Sequence, residues 1–328
     1  MNDLNIRNFK YTDVDDFIRI SKLSFAGEWT AEGLTPEDFE RETRRIFQWK
    51  MIPYRLLTAL IRINWEGFVA EKDGKVVGGG MYIGRDKRMS VTNLMVDPEY
   101  RRQGVGQALL ARRLERMTER GFPFAMAQVL ETNTASLQNL RKQGFELFNQ
   151  YSVYEHILPL PEINDSNMPP ISVREINHAD RALFKEIEDK TTPHSVLSVK
   201  GSADTQYFLS GWQRIYTRFT RYSRWIKAVV TSGETIGFCC AGFQDRQQKG
   251  LLIKPIVDEG SLDLIPFMLQ NAGSWMELSG RKSMIVEFPD QWTKTRDYLL
   301  ENGWKRQFTW LELVRWLDEH TRQKVADL

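Results

Sequence analysis

The sequence predicts an α+β protein built from two similar halves. Three observations carry this prediction. A proline-rich stretch divides the chain near its middle. The two sides open with the same pattern. Each side also sets a hairpin glycine and a helix-closing glycine 70 residues apart (144 − 74 and 303 − 233). At 328 residues the chain is long for one compact domain and comfortable for two. Either half is long enough to bury a core of its own. The expected organisation is a first domain over 1–157, a linker over 158–170 and a second domain over 171–328.

Each element has its own signal. The first half opens "IRNFKYTDVDDFIRISKL" and the second "VREINHADRALFKEIEDK", each a short strand, a polar turn and an amphipathic helix. A further helix is expected from Thr35, with Pro36 at its first position and Asp38 in a capping arrangement. Hairpins follow at "FVAEKDGKVVGGGMYI" and "IKAVVTSGETIGFCCAGF". They turn on Asp73-Gly74 and Ser232-Gly233, because tight hairpins need positive φ. "MSVTNLMV" is a strand. The helix from Gly104 to about Arg120 places Gly106, Leu110, Leu114 and Met117 on one face and Arg112, Arg113, Arg116 and Glu119 on the other. "FAMAQVL" is a buried strand, and Thr134 to Gln143 a helix with Asn133 as its cap, closed by Gly144-Phe145. "FELFNQYSVYEHIL" supplies the last strand or two. In the second half, Gly303-Trp304 closes the corresponding helix. The linker "LPLPEINDSNMPP" holds four prolines and no apolar period.

Composition narrows the function classes. Apolar residues make up 41% and charged residues 27%, with a net charge of +2. That charge is too close to zero to argue for nucleic acid or an anionic membrane. The only cysteines, Cys239 and Cys240, are neighbours, which is no disulfide framework and fits a reducing compartment. His156, His178, His194 and His320 are scattered, without metal-ligand spacing, so no metal is expected. No apolar run approaches a membrane span, and the first residues have no signal-peptide core. The expected setting is the cytoplasm, with no membrane or nucleic-acid partner; the oligomeric state stays open.

The chemistry concentrates in "LMVDPEYRRQGVGQALL". A strand meets Asp97-Pro98, then Arg101-Arg102, then Gly104-Val105-Gly106, then a helix. Glycine has no Cβ, so this backbone can come very close to a bulky anion. The first amides of a helix lack internal partners and carry partial positive charge. A diphosphate fits such a place, with Arg101 or Arg102 adding charge. On this argument alone the loop reads as a site for a phosphate-bearing ligand or as a tight turn without one. The main rivals lack their marks: no Lys-Ser/Thr follows the loop, and the third glycine and acidic residue of a dinucleotide fold are missing.

The longer pattern resembles the GNAT family of acetyl-CoA-dependent N-acetyltransferases. Arg101-Arg102-Gln103-Gly104-Val105-Gly106 matches its [RQ]-x-x-G-x-[GA] pattern, and "ETNTASLQNLRKQGF" resembles its second signature, an Asn, a helix and Gly-Phe. The resemblance spans about Ile6 to His156. It implies two tandem GNAT-like domains, each a mixed, mostly antiparallel sheet flanked by helices. It implies that Arg101 and the amides of Arg102, Gln103, Gly104, Val105, Gly106 and Gln107 hold the pyrophosphate of coenzyme A. Leu94, Met95 and Val96 would pair with the pantetheine arm on a strand that splays from its neighbour, leaving amides free to polarise the thioester carbonyl. Asn133 would contact the coenzyme, with Ser136 as a small residue lining the site.

Two departures from the family stand out. Leu140 occupies the place of its usual acid tyrosine, and Thr92 and Asn93 stand near the place of its strand glutamate. Glu131 and Tyr151 are then the candidates for the proton steps, beside ordered water.

Shifted by 159 residues, Gly104 falls on Asp263, Gly106 on Ile265 and Asn133 on Trp292. The second half has no arginine pair there, and Asp258, Glu259 and Asp263 would repel a diphosphate. It is expected to keep the fold and lose the coenzyme. Its Trp212, Tyr216 and Phe219, at helical spacing, read as core. The implied function is transfer of an acetyl or small acyl group from acetyl-CoA to a primary amine, small-molecule or peptide, by direct attack. The alternative is a non-catalytic acyl-CoA-binding sensor or interaction protein. "SFAGEW" and "RRIFQWKMIPYR" are expected near the acceptor side.

Overall fold

The computed structural model describes residues 4–32, 37, 40, 41, 43, 44, 63–162, 171–211, 222–244, 247–257 and 259–326. The helix expected from Thr35, residues 45–55, the linker residues 163–170 and the aromatics Trp212, Tyr216 and Phe219 lie outside the described residues. The chain forms two compact units. One combines Met1–Phe148 with Leu311–Leu328, and the other is Asn149–Trp310.

In the first unit the strands are β1 (Asn5–Asn8), β2 (Ile63–Lys72), β3 (Lys75–Arg85), β4 (Arg88–Val96) and β5 (Phe124–Leu130). The helices are α1 (Val14–Glu32), α2 (Val105–Glu119) and α3 (Thr134–Lys142). β1 to β4 pair antiparallel in sequence order, and β4 pairs parallel with β5. β3 is buried along most of its length because α1 and α2 pack against it. Val69, Val76 and Met95 meet Phe17 and Ile20 of α1. Phe68, Val77, Tyr82 and Val91 meet Val105, Leu109 and Leu114 of α2.

Strand β6 (Glu146–Ile157) carries the chain into the second unit, which contains β7 (Ile171–Glu175), β8 (Tyr222–Thr231), β9 (Glu234–Gln244), β10 (Lys249–Val257) and β11 (Ser283–Pro289). Its helices are α4 (Asp180–Thr191), α5 (His194–Lys200), α6 (Asp204–Tyr207), α7 (Ile265–Leu278) and α8 (Thr293–Glu301). The strand order β7-β8-β9-β10-β11 repeats that of β1 to β5, again with one parallel pair, β10 with β11. Both units therefore have the expected mixed, mostly antiparallel sheet with flanking helices.

The last strands are exchanged. β6 pairs antiparallel with β11, from Tyr151↔Pro289 to Ile157↔Ser283. Strand β12 (Lys305–Trp316) lies beside β5, and its Leu311 and Leu313 enter the first unit's core. Helix α9 (Glu319–Ala326) follows it. Division by compactness thus falls at Asn149 and Leu311 rather than at the proline-rich stretch, because each unit's sheet is completed by a strand from the other half of the sequence.

The repeat extends to side chains. Arg7 forks onto both Asp13 oxygens at 2.8 and 3.0 Å, and Asp13 accepts the Lys10 amide at 2.7 Å. Arg174 forks onto Asp180 at 2.8 and 2.7 Å, and Asp180 accepts the Asn177 amide at 2.7 Å. Each carboxylate thereby ties a first strand to the start of the following helix. Both hairpins turn with positive φ at two successive residues, Asp73-Gly74 and Ser232-Gly233. Among the described residues no helix is long and apolar enough to cross a membrane.

Candidate functional site

In the first unit β4 and β5 part company. Their parallel pairing runs through Met89↔Ala125 and Ser90↔Met126 and goes no further among the described residues. Just beyond, β4 bulges against β3. Gly79 pairs with Met95 and Met81 with Thr92, so Asn93 and Leu94 together oppose Gly80. Asn93 has φ 52, a left-handed conformation that asparagine tolerates better than most residues. A bulge at the mouth of a splay re-aims backbone amides that a regular ladder would consume. Beyond it Met95 is buried, while Leu94 and Val96 are half-buried and pack against the α2 side.

The turn after β4 is pinned from two sides. Asp97 accepts the guanidinium of Arg19 on α1 at 2.6 Å, and its amide donates to Val77 O at 2.9 Å. Asp97 also caps the 3-10 turn Pro98–Tyr100 through the Glu99 amide at 3.2 Å. The chain then passes Arg102, at φ 60, and reaches Gly104, the N-cap of α2, at φ 81. A Cβ at Gly104 would meet nothing within 4 Å. No side chain caps α2, and its first turn holds no acidic residue. The amides of Val105, Gly106 and Gln107 thus open a helix whose positive end carries no anion of its own. Arg101, Arg102 and Gln103 are exposed around them. Arg101 donates from Nε to Val96 O at 3.2 Å. A third cation, Lys72 at the end of β2, donates to Gln103 Oε1 at 2.9 Å, and its ammonium stands 5.7 Å from the Tyr100 ring centroid. This cradle fits a diphosphate: open space, uncapped amides and cations.

Helix α3 is capped, unlike α2. Asn133 accepts the Ser136 amide at 3.1 Å, so these two expected coenzyme residues are joined to each other. Asn139 donates to Gly106 O at 3.3 Å and ties α3 to the start of α2. Leu140 is buried in the core formed with α2. Glu131 is exposed in the turn between β5 and α3. Tyr151 belongs to the second unit, opposite Pro289, with the Lys200 ammonium 5.6 Å from its ring centroid.

One placement differs from the helical-face reading. Arg113, expected among the polar residues of α2, is fully buried. It donates to the backbone carbonyls of Leu109, Met81 and Thr92. Periodicity assigns a residue to a helix face but not the depth at which that face is buried.

The second unit keeps the bulge and changes its chemistry. Ile253 pairs with Cys240 and Ile256 with Phe238, so Lys254 and Pro255 together oppose Cys239. Proline has no amide to offer. Where the first unit has its glycine loop, a 3-10 turn, Glu259–Leu264, runs straight into α7, and Pro266 occupies that helix's first turn. Asp258 lies outside the described residues. Trp292 is buried, its ring 5.7 Å from that of Phe288. Burial also pushes the Cys240 thiol up to about 11, and that of Cys239 further still.

Residues 29–145 match the family described as Acetyltransferase (GNAT) family. The mycothiol acetyltransferase of Thermobifida fusca (strain YX) is 29% identical over 161 residues, covering 47% of this chain and 47% of that protein. The chain thus matches about half the length of this curated relative. Among solved structures, a GCN5-related N-acetyltransferase from Sphaerobacter thermophilus superposes with a TM-score of 0.59 at 16% identity, over 96% of each chain. A tandem GNAT protein from the clavulanic acid biosynthesis pathway superposes with a TM-score of 0.53 at 12% identity, over 96% of this chain and 99% of that one. At such identities these two structures speak to the fold.

Proposed function

We propose that the first unit, where residues 29–145 match the GNAT family, transfers an acetyl or small acyl group from coenzyme A to a primary amine. The observation that carries this reading is the coincidence of splay and bulge: β4 leaves β5 after Ser90 and bulges at Asn93-Leu94. Acetyl-CoA would supply the activated acyl thioester. The amides from Arg102 to Gln107, with Arg101, Arg102 and Lys72, would bind its pyrophosphate. Leu94 to Val96 would take the pantetheine arm as an added strand. The bulge backbone would donate to the thioester carbonyl as negative charge grows on it. Asn133 and Ser136 would line the coenzyme from the start of α3.

The amine must be neutral to attack, so it needs a proton acceptor, and the departing thiolate benefits from a donor. Glu131 is proposed for the first task and Tyr151 for the second. The second unit is proposed to bind no coenzyme, because Pro255 and Pro266 remove amides at both places where the first unit offers them.

The acceptor belongs to the proposal only as a primary amine. A non-catalytic acyl-CoA sensor remains the second reading, favoured by Leu140 at the usual acid position. Thiol release from acetyl-CoA, measured across a panel of polyamines, aminoglycosides, amino sugars and peptide N-termini, separates the two. An amine-dependent rate supports transfer. Coenzyme binding without turnover for every amine supports the sensor.

A further inference from the structure

Arg113 is the largest fully buried side chain among the described residues. Its Nε donates to Leu109 O at 3.1 Å, one turn back on α2. Its Nη1 donates to Met81 O at 3.0 Å and to Thr92 O at 3.1 Å. Its Nη2 is buried with no hydrogen-bond partner among the described residues. Burial lowers its pKa to about 9, which leaves it a cation at neutral pH. A lone cation in a protein interior is unfavourable unless surrounding dipoles offset its lost hydration. A core position next to Leu109, Leu110 and Leu114 would be filled more cheaply by an aliphatic residue.

The two carbonyls explain the choice. Thr92 O immediately precedes the bulged residue Asn93, and Met81 pairs with Thr92 on β3. Where a bulge interrupts the ladder, flanking carbonyls lose partners in a dry interior. One arm of the guanidinium, Nη1, reaches both, while Nε keeps the side chain seated on Leu109 O. The facing residue is shaped to admit it: a Cβ on Gly80 would lie 2.9 Å from Nη1 and 3.0 Å from Cζ. The second unit supplies a contrast. The residue 159 positions after Arg113 is Ala272, followed by Gly273, and the bulge there contains Pro255. The arginine is missing where the bulge has lost an amide.

We propose that Arg113 is a positioning residue for acyl transfer, whose grip on the Met81 and Thr92 carbonyls holds the Asn93-Leu94 bulge in the shape that presents its amides to the thioester. The proposal rests on the acyl-transfer reading. Arg113 acts through the backbone and touches no reacting atom, so its signature is a loss of kcat without a loss of coenzyme binding.

The test uses full-length Arg113→Met, Arg113→Lys and Gly80→Ala. Acetyl-CoA turnover is measured with the most active amine, and coenzyme A affinity by calorimetry. Arg113→Met is expected to lower kcat at least 30-fold while the coenzyme Kd stays within threefold. Arg113→Lys, which keeps the charge and part of the hydrogen bonding, is expected to recover part of that loss. Gly80→Ala, which crowds the guanidinium without removing it, is expected to lower kcat at least fivefold. Amide exchange of the peptide 88–96 should quicken in all three. If Arg113→Met does not fold, the other two variants carry the test alone. Folded variants with wild-type kcat would overturn the proposal. So would kcat and coenzyme affinity falling together, which is what general loosening of the unit produces. A wild-type protein that neither binds coenzyme A nor turns over acetyl-CoA removes the acyl-transfer reading, and Arg113's role in it. A wild type that does both, with indifferent variants, removes the Arg113 proposal alone.

Discussion

Gly104→Val tests the loop most sharply, because its effects on stability and on binding can be separated. Gly104 sits at φ 81, and a Cβ there meets nothing within 4 Å. The free protein therefore loses no packing. It acquires a β-branched residue in the left-handed region, at a cost of about 1–2 kcal/mol. For a unit of this size that is a fall in Tm of about 2–8 °C. The isopropyl group projects into the open space in front of the uncapped start of α2, where the diphosphate is proposed to lie. Coenzyme affinity is expected to fall at least tenfold, about 1.4 kcal/mol. Gly106→Ala is the control. Its Cβ would stand 3.5 Å from Val96 and 3.8 Å from Asn139, ordinary contact at a helical position. Replacing helical glycine by alanine stabilises by about 0.5–1 kcal/mol, and the coenzyme Kd should stay within threefold. Thermal melts and titration calorimetry read both quantities. A folded Gly104→Val protein with unchanged affinity would refute the assignment of the loop as the diphosphate cradle.

Glu131→Gln is expected to lower kcat about a hundredfold, and Tyr151→Phe about tenfold, each with little change in coenzyme affinity; a wild-type kcat in either variant removes that residue from the proton steps. A chain ending at Leu158 lacks Leu311 and Leu313, both buried in the first unit's core. It is expected to be insoluble or to lose its near-UV circular dichroism, and a cooperative melt like that of the full chain would contradict the strand exchange. The fork of Arg174, then the Asn177 amide, hold the Asp180 carboxylate below its usual pKa. The stability this adds, about 1 kcal/mol, is present above pH about 4 and lost as pH falls through the lowered value. Urea melts between pH 6 and pH 3 should lose that slope in Asp180→Asn, and an unchanged slope would refute the pair's role.

Local signals were legible where one short stretch decides the structure. The two hairpin turns, the glycine-led start of α2 and the Asn133 cap of α3 all follow from residues adjacent in sequence. So does the strand-turn-helix opening of both halves, although nothing in it announces that Asp13 and Asp180 would each receive an arginine fork. What escaped depends on partners far apart in the chain. The exchange of β6 and β12 leaves no mark in either strand, since an apolar alternating strand suits any sheet edge. Arg113 falls with Arg112, Arg116 and Glu119 by helical period, and a period cannot say whether a buried carbonyl waits there for a cation. The run Gly78-Gly79-Gly80 was the available signal: glycine inside a strand marks a bulge or a close approach, and here it marks both. Pro255 shows its meaning only once the register of β9 and β10 puts it inside a bulge. Lys72 reaches the glycine loop through the hairpin, 31 residues before Gln103.

The central claim is that one unit offers a coenzyme cradle and the other has lost it. Titration calorimetry of the full-length chain with coenzyme A tests this directly. Saturation is expected at one coenzyme per chain, with that single site weakened at least tenfold in Gly104→Val. Two equivalent sites would contradict the loss proposed for the second unit, and no binding to the folded chain would contradict the cradle itself.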